Sequence, residues 1–353
     1  MRLSYHYRAS GYAGQICRHA SQRFGGIIPG DGAYVSYRRV ASGIRPLKSR
    51  VAITGVAGFI GSNLADRLVR VGHEVVGIDN LSYGVREQVP DEVEFHQRDI
   101  REENLSELFQ GCRAIFHLAA KNCIPDCQRD PVETVSINVL GTTQVFEAAC
   151  RAGVPKVIYA ESSALYEGSK VLPTPEGELF PESFYSLSKM AGYQLAEGFR
   201  RDRGLIITAL RYFCVYGPRQ DYRRSVPPLM SAFLLKLLAG EQPTIYGNGS
   251  KRRDFVYVDD VNDFHLQCLE DPRTDNLSVN LGTGTYHSVA EIYETIRQLL
   301  GSELQPRHLP DQPGEAQDTL ADISLARSLG WEPRTGLLDG IRAMLAHLRQ
   351  HVL

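Results

Sequence analysis

An α/β fold, a doubly wound parallel sheet with a smaller α/β lobe beside it, is predicted by three features of the chain. From Arg50 onward, short apolar β-type runs alternate with helical patterns, as expected of parallel strands joined by crossover helices. A glycine-rich turn follows the first run and opens a helix directly. After Gly217 the alternation fails, and Pro227-Pro228 and Gly247-Asn-Gly249 mark a differently built region.

Val51-Ala-Ile-Thr54 reads as the first strand and Gly55–Gly61 as the turn. Ser62–Val71 follows as a helix with Leu64, Leu68 and Val71 on one side, and Glu74–Asp79 as a second buried strand. Further strands are expected at Val93–His96, Ala114–Leu118, Lys156–Ala160 and Leu205–Arg211, with helices at about 102–110, 132–152 and 184–202. A helix at about 229–239 belongs to the smaller lobe, which is expected over the carboxyl edge of the sheet, where such folds bind ligands. The domain reading is a basic, disordered extension over 1–48 and a sheet domain over 49–222, completed by about 255–283. The substrate lobe takes 223–254 and 284–353.

Composition narrows the function. Hydrophobic residues at 43% and charged residues at 23% are ordinary for a soluble globular chain, and no apolar run is long enough to span a membrane. The net charge of −2 conceals an asymmetry: residues 1–50 carry nine Arg or Lys and one acid, Asp31. The remaining body is acidic, which argues against nucleic-acid binding. The Arg-rich, acid-poor segment reads as a disordered extension or an early start codon, with an organelle presequence as the alternative. Seven scattered cysteines suggest reduced thiols in a cytoplasmic protein. Cys123 and Cys127 lack the second pair a zinc site needs, so no metal is expected.

The chemistry starts at Thr54-Gly55-Val-Ala-Gly58-Phe59-Ile60-Gly61. Glycines after a strand permit the tight turn and let backbone N–H groups approach a pyrophosphate at the helix N-terminus. Asp79 ends the next strand eighteen residues beyond Gly61. Its carboxylate suits the hydroxyls of an adenosine ribose and repels a 2′-phosphate, so NAD is expected rather than NADP. Asp99-Ile100, after the third strand, is a candidate adenine contact. Ser162, at the carboxyl end of the Lys156–Ala160 strand, is placed to bond a substrate hydroxyl. Tyr185 and Lys189 share a helical face at i,i+4 spacing, where an ammonium favours the phenolate needed of a base.

With these residues in hand, the chain from about Arg50 to Leu348 resembles the extended short-chain dehydrogenase/reductase family, particularly its nucleotide-sugar 4-epimerases. The matching stretches are Thr54–Gly61, Asp79-Asn80, His117-Leu118-Ala119-Ala120, Asn138, Ser162-Ser163, Tyr185-x-x-x-Lys189, Arg211–Arg219 and Arg253–Asp260. The resemblance implies that Tyr185 is the acid/base and that Lys189 tunes it and holds the nicotinamide ribose. Ser162 and Ser163 would bind the reacting hydroxyl. Gly55, Gly58, Phe59, Ile60, Gly61, Asp79, Asn80, Asp99, Ile100, Leu118, Ala119, Ala120 and Asn138 would contact the cofactor. Lys121, Cys214, Arg219, Arg253, Gln312 and Thr319 would contact the nucleotide sugar, Arg253 at its diphosphate. The other reading of Arg253 is a surface ion pair with Asp254. A cytoplasmic homodimer, paired through helices near 132–152 and 184–202, and a role in polysaccharide biosynthesis are implied as well.

Family members that dehydrate or decarboxylate sugars carry an acid beside the catalytic hydroxyl. Here Ser163 and Ala164 follow Ser162, and Glu161 points to the opposite face of the strand. Reversible oxidation at C4, hence 4-epimerisation, is therefore expected. The alternatives are a decarboxylase, a dehydratase, a keto-sugar reductase, or a non-catalytic NAD-binding sensor or scaffold. Cys214 stands where many epimerases have Asn, and Gln312 where several have a diphosphate-binding Arg; Arg219, Arg223, Arg224 or Arg307 are candidate substitutes. The small Thr319, at a position that gates pocket size in UDP-hexose epimerases, leaves room for an N-acetyl group or a C6 carboxylate.

Overall fold

In a computed structural model, described over residues 48–177, 179–223, 226–311 and 316–352, seven parallel strands form the main sheet. They are β1 (Arg50–Thr54), β2 (Glu74–Asp79), β3 (Glu94–Gln97), β4 (Ala114–His117), β5 (Lys156–Ser162), β6 (Ile206–Tyr212) and β10 (Ser278–Leu281). Their order is β10-β6-β5-β4-β1-β2-β3. β1 and β5 are buried along nearly their whole length, as expected of strands covered on both faces.

Helix α1 (Phe59–Val71) buries Leu64 and Leu68 on one face of the sheet, beside α7 (Val258–Glu270) with Phe264 and Leu269. The other face is covered by α4 (Thr142–Ala152) and α5 (Phe184–Arg203), through Val145, Phe146 and Ala196. The chain steps outward from β1 to β3, then returns to place β4 on the other side of β1. The carboxyl ends of β1 and β4 thus frame the switch point of the sheet, where ligands bind in such folds.

Two expected helices differ. Over 102–110 the structure has only a 3₁₀ turn at Leu105–Glu107. The side chains that would start a helix are used locally: Glu102 accepts from the Asp99 N–H at 2.8 Å, and Arg98 bonds both Glu102 and Asn104. The expected helix at 132–152 is divided into α3 (Pro131–Val135), a π-helical stretch (Ser136–Gly141) and α4.

After β6 the chain leaves the main sheet, and β7 (Cys214–Tyr216) belongs to a second, three-stranded sheet. β9 (Arg252–Tyr257) pairs parallel with β7 and antiparallel with β11 (Tyr286–Ser288), while β8 (Thr244–Tyr246) pairs with β12 (Arg307–Leu309). A third core joins Phe233 and Leu234 of α6 (Leu229–Leu238), Ile292 of α8 (Val289–Leu300) and Ile341 of α10 (Leu337–His351). Among the described residues, no helix is long and apolar enough to cross a membrane.

Candidate active site

The glycine loop is shaped by contacts that admit no side chain at two positions. A Cβ on Gly61 would lie 2.1 Å from the Gly55 carbonyl oxygen. Gly55 has φ +76°, and its Cβ would meet the Ala119 backbone nitrogen at 2.8 Å, so the β1 and β4 loops pass in backbone contact. Gly58 caps α1 without a side-chain bond, and the first turn, beginning at Phe59 and Ile60, has no acid. The helix terminus therefore presents N–H groups and partial positive charge to a ligand, a cradle that fits the pyrophosphate of a dinucleotide.

Asp79 ends β2 and braces this loop. Its carboxylate accepts from the Ala57 N–H at 3.0 Å and from the Leu81 N–H at 2.8 Å. Burial pushes its pKa up, against the opposing pull of those two donors. Asn80 donates to Asp99 at 2.9 Å. Asp99 is gripped by Arg101 through two bonds of 2.7 and 2.8 Å, and this holds its carboxyl well below the usual range. Ile100 packs where a Cβ on Gly141 would lie 2.6 Å away.

Beyond β4, Leu118 and Ala119 donate to the Thr54 carbonyl and hydroxyl, at 3.1 and 3.4 Å. Ala120 and Lys121 continue this loop. Asn138, within the π-helical stretch, accepts from the Lys121 N–H at 2.8 Å and donates to the Lys121 carbonyl and the Ser188 hydroxyl at 2.9 Å each. The amide expected to meet the cofactor thus keys the β4 loop to α5. Lys121 is buried, with Nζ 3.3 Å from the Asp130 carbonyl.

Helix α5 is started by Ser183, whose hydroxyl accepts from the Ser186 N–H while the Ser186 hydroxyl accepts from the Ser183 N–H. Tyr185 sits in the first turn and Lys189 one turn later, both buried. Lys189 donates to the Ala160 carbonyl of β5 at 2.9 Å, two residues before Ser162. Burial brings the Lys189 pKa down to about 8, and the Glu161 carboxylate opposes that shift. Ser162 ends β5, and its hydroxyl accepts from the Ala164 N–H at 3.1 Å, opening the 3₁₀ turn Ser163–Tyr166. Both serines stay half-buried. Glu161 lies on the opposite face, fully buried and 2.8 Å from Arg211, its partner in the β5–β6 register.

The sequence reading gave His117 only as part of a matching stretch, with no role, and missed Glu167. His117 lies between the hydroxyls of Thr54 (2.7 Å) and Thr142 (3.0 Å). Its burial, with the Lys189 ammonium nearby, pushes its pKa down to about 3. Glu167, just past the 3₁₀ turn, binds the start of α5. Only the Ser183-x-x-Ser186 spacing could have pointed to a cap there.

On the substrate side, Cys214 opens β7 beside β9, its thiol pushed up to about 11 by burial, with Arg253 opposing. Arg253 is half-buried and donates to the carbonyls of Arg252 (2.9 Å) and Gln317 (3.0 Å). The alternative pairing with Asp254 is excluded. That carboxylate is buried and takes the Thr283 N–H and hydroxyl (2.7 Å each), the Gly284 N–H (3.0 Å) and the Ala321 N–H (3.1 Å). The Thr319 N–H donates to the Arg252 carbonyl at 3.1 Å, and its buried hydroxyl finds no partner among the described residues. Arg219 is not brought to this group: it pairs with Asp66 of α1 at 2.6 Å, from a backbone with φ +67°. Arg223 donates to the Tyr83 carbonyl at 3.0 Å. Gln312 and Arg224 lie outside the described residues.

Comparison with known proteins places this geometry. A family model described as "NAD dependent epimerase/dehydratase family" matches residues 51–282. A UDP-glucose 4-epimerase of Mycolicibacterium smegmatis is 36% identical over 310 residues, 85% of this chain and 98% of the relative. The crystal structure of a Thermotoga maritima UDP-glucose 4-epimerase with UDP-glucose is 33% identical, with a TM-score of 0.83 over 86% of this chain and all of that one. A Bacillus cereus UDP-glucuronic acid 4-epimerase, solved with UDP-glucuronic acid and NAD, is 29% identical, with a TM-score of 0.79 over 85% of this chain and 99% of that one.

Proposed function

The chain belongs to the NAD dependent epimerase/dehydratase family, and on that premise we propose how it works as an NAD-dependent nucleotide-sugar 4-epimerase, acting on UDP-sugars through a 4-keto intermediate. The observation that carries the choice of reaction is the state of the two carboxylates flanking the serine pair. Glu161 is paired with Arg211 on the far face of β5, and Glu167 is bonded to the start of α5. Neither is available as the extra acid that elimination or decarboxylation requires.

Tyr185 takes the proton of the C4 hydroxyl and later returns it, while the Lys189 ammonium favours the phenolate. Ser162, with Ser163 beside it, holds that hydroxyl toward Tyr185. Bound NAD would supply hydride acceptance and return at C4. The glycine loop would hold the pyrophosphate of the cofactor, and Asp79 its adenosine ribose. Arg253 meets the substrate diphosphate, where a charge-assisted contact compensates for the weak thiol donor at Cys214. Residues 223–254 and 284–353 form the substrate lobe, and the small Thr319 supports acceptance of N-acetylated or C6-carboxylated sugars. Faster turnover of UDP-glucose than of UDP-N-acetylglucosamine and UDP-glucuronate would refute that range.

A homodimer is supported by the apolar side chains that α3, the π-helical stretch and α5 leave exposed: Val132, Val135, Leu140 and Leu187. The free thiols at Cys112, Cys123, Cys127, Cys150, Cys214 and Cys268 agree with a reducing, cytoplasmic setting. The test of function is to incubate purified protein with a panel of UDP-, dTDP-, GDP- and CDP-sugars without added cofactor and to identify the products by NMR. C4 epimers formed with no added cofactor are expected. Released CO2, a 4-keto-6-deoxy sugar, or turnover that appears only when NADH is supplied and consumed would each overturn the assignment.

A further inference from the structure

We propose that Glu167 is a positioning residue of the reaction, a strut that fixes Tyr185 relative to Ser162; this rests on the epimerase reading above. One carboxylate gathers four donors from the entry to α5. Its Oε2 accepts from the Glu182 N–H (3.1 Å), the Ser183 N–H (2.8 Å) and the Ser186 hydroxyl (2.7 Å), and its Oε1 accepts from the Ser183 hydroxyl (2.9 Å). Ser186 is fully buried and Ser183 nearly so, which gives these bonds little competition from water. Tyr185 lies between the two serines.

The other end of the strut is as firmly held. The Glu167 N–H bonds the Ala164 carbonyl at 3.2 Å, and the Ala164 N–H bonds the Ser162 hydroxyl at 3.1 Å. The hydroxyl donor, the 3₁₀ turn, the carboxylate and the first turn of α5 therefore form one short path. A second link, from Lys189 to the Ala160 carbonyl, ties the next turn of the helix to the same strand. Two links one turn apart fix both the advance of α5 along β5 and its rotation. Glu167 supplies the link nearer to Tyr185, and its negative charge suits a helix N-terminus. A misplacement of about 1 Å at a reacting group can cost on the order of 100-fold in rate.

Glu167→Ala is expected to lower kcat at least about tenfold, with KM for the UDP-sugar and the content of bound NAD unchanged within about threefold. Glu167→Gln keeps an acceptor oxygen, and its amide N–H can donate to the Ser183 hydroxyl, so it is expected to recover most of kcat. Glu167→Asp keeps the charge but loses reach; it is expected to remain impaired, and it carries the test if the alanine variant does not fold. Hydrogen exchange provides a readout independent of turnover: the Ser186 and Leu187 amides should exchange faster in the alanine or aspartate variant, with the later turns of α5 unchanged. Unchanged first-turn exchange, a kcat within about twofold of wild type, or a loss shared equally by kcat and NAD binding would overturn the proposal. A wild-type protein that turns over no sugar of the panel would sink the epimerase reading, while the exchange result would still decide whether Glu167 is the strut.

Discussion

Lys189 is buried at a cost to stability, and in the proposed mechanism that burial serves catalysis. Its folded pKa, about 8, lies below the ordinary 10.5 because the ammonium is desolvated. Between those two values the unfolded chain binds more protons than the folded one, so this group's contribution to stability grows as pH rises through that window. Activity should run the other way: kcat/KM is expected to fall as pH rises through about 8, because the ammonium one helical turn from Tyr185 is lost. A pH profile recorded alongside urea denaturation checks both signs. Tyr185→Phe is expected to keep NAD bound and to lower kcat by about 10²–10⁴-fold; near-normal turnover would remove the phenol from the chemistry. Gly61→Ala should lose bound NAD outright, since its methyl group would lie 2.1 Å from the Gly55 oxygen, as measured by cofactor released on denaturation.

Elements show why some of the fold was legible from sequence and some was not. The strand–glycine–helix unit could be read because each contact is local and the residue types are restrictive: no side chain fits at Gly61, and Asp79 must end β2 to reach the Ala57 N–H. The stretch at 102–110 had Leu105, Leu108 and Phe109 at helical spacing, yet Glu102 takes the Asp99 N–H and Arg98 ties Glu102 to Asn104. The Glu167 contacts were hidden because they span 15 to 19 residues and end on serines, which cap turns in many settings. Arg219, expected at the nucleotide sugar, pairs with Asp66 on α1; a charged residue at the end of a motif carries no sign of which side it faces. Between β5 and β6, Glu161→Ala would leave Arg211 buried without its carboxylate, and a loss of about 3–5 kcal/mol is expected in denaturant melts. On β9, Arg253→Ala should raise KM for UDP-sugars more than tenfold on the order of a lost charge-assisted contact, with kcat less affected.

At the scale of the whole molecule, a charged side chain in the exposed apolar strip tests the proposed homodimer. The wild type is expected to sediment as a dimer and Leu140→Glu as a monomer; a monomeric wild type would refute the dimer, and a variant that stays dimeric would refute this interface. The main sheet itself closes late in the chain. β6 ends at Tyr212, but its outer neighbour β10 begins only at Ser278, after β7, β8 and β9 have been laid down elsewhere. During synthesis, then, a nascent chain carries β6 as a bare edge until that whole excursion has emerged from the ribosome. Parallel pairing across so long a separation is slow, and an open edge invites pairing with other chains. A fragment ending before Ser278 should therefore aggregate even though it holds the glycine loop, Tyr185 and Lys189; those residues are made early, but solubility depends on the last strand of the main sheet to arrive.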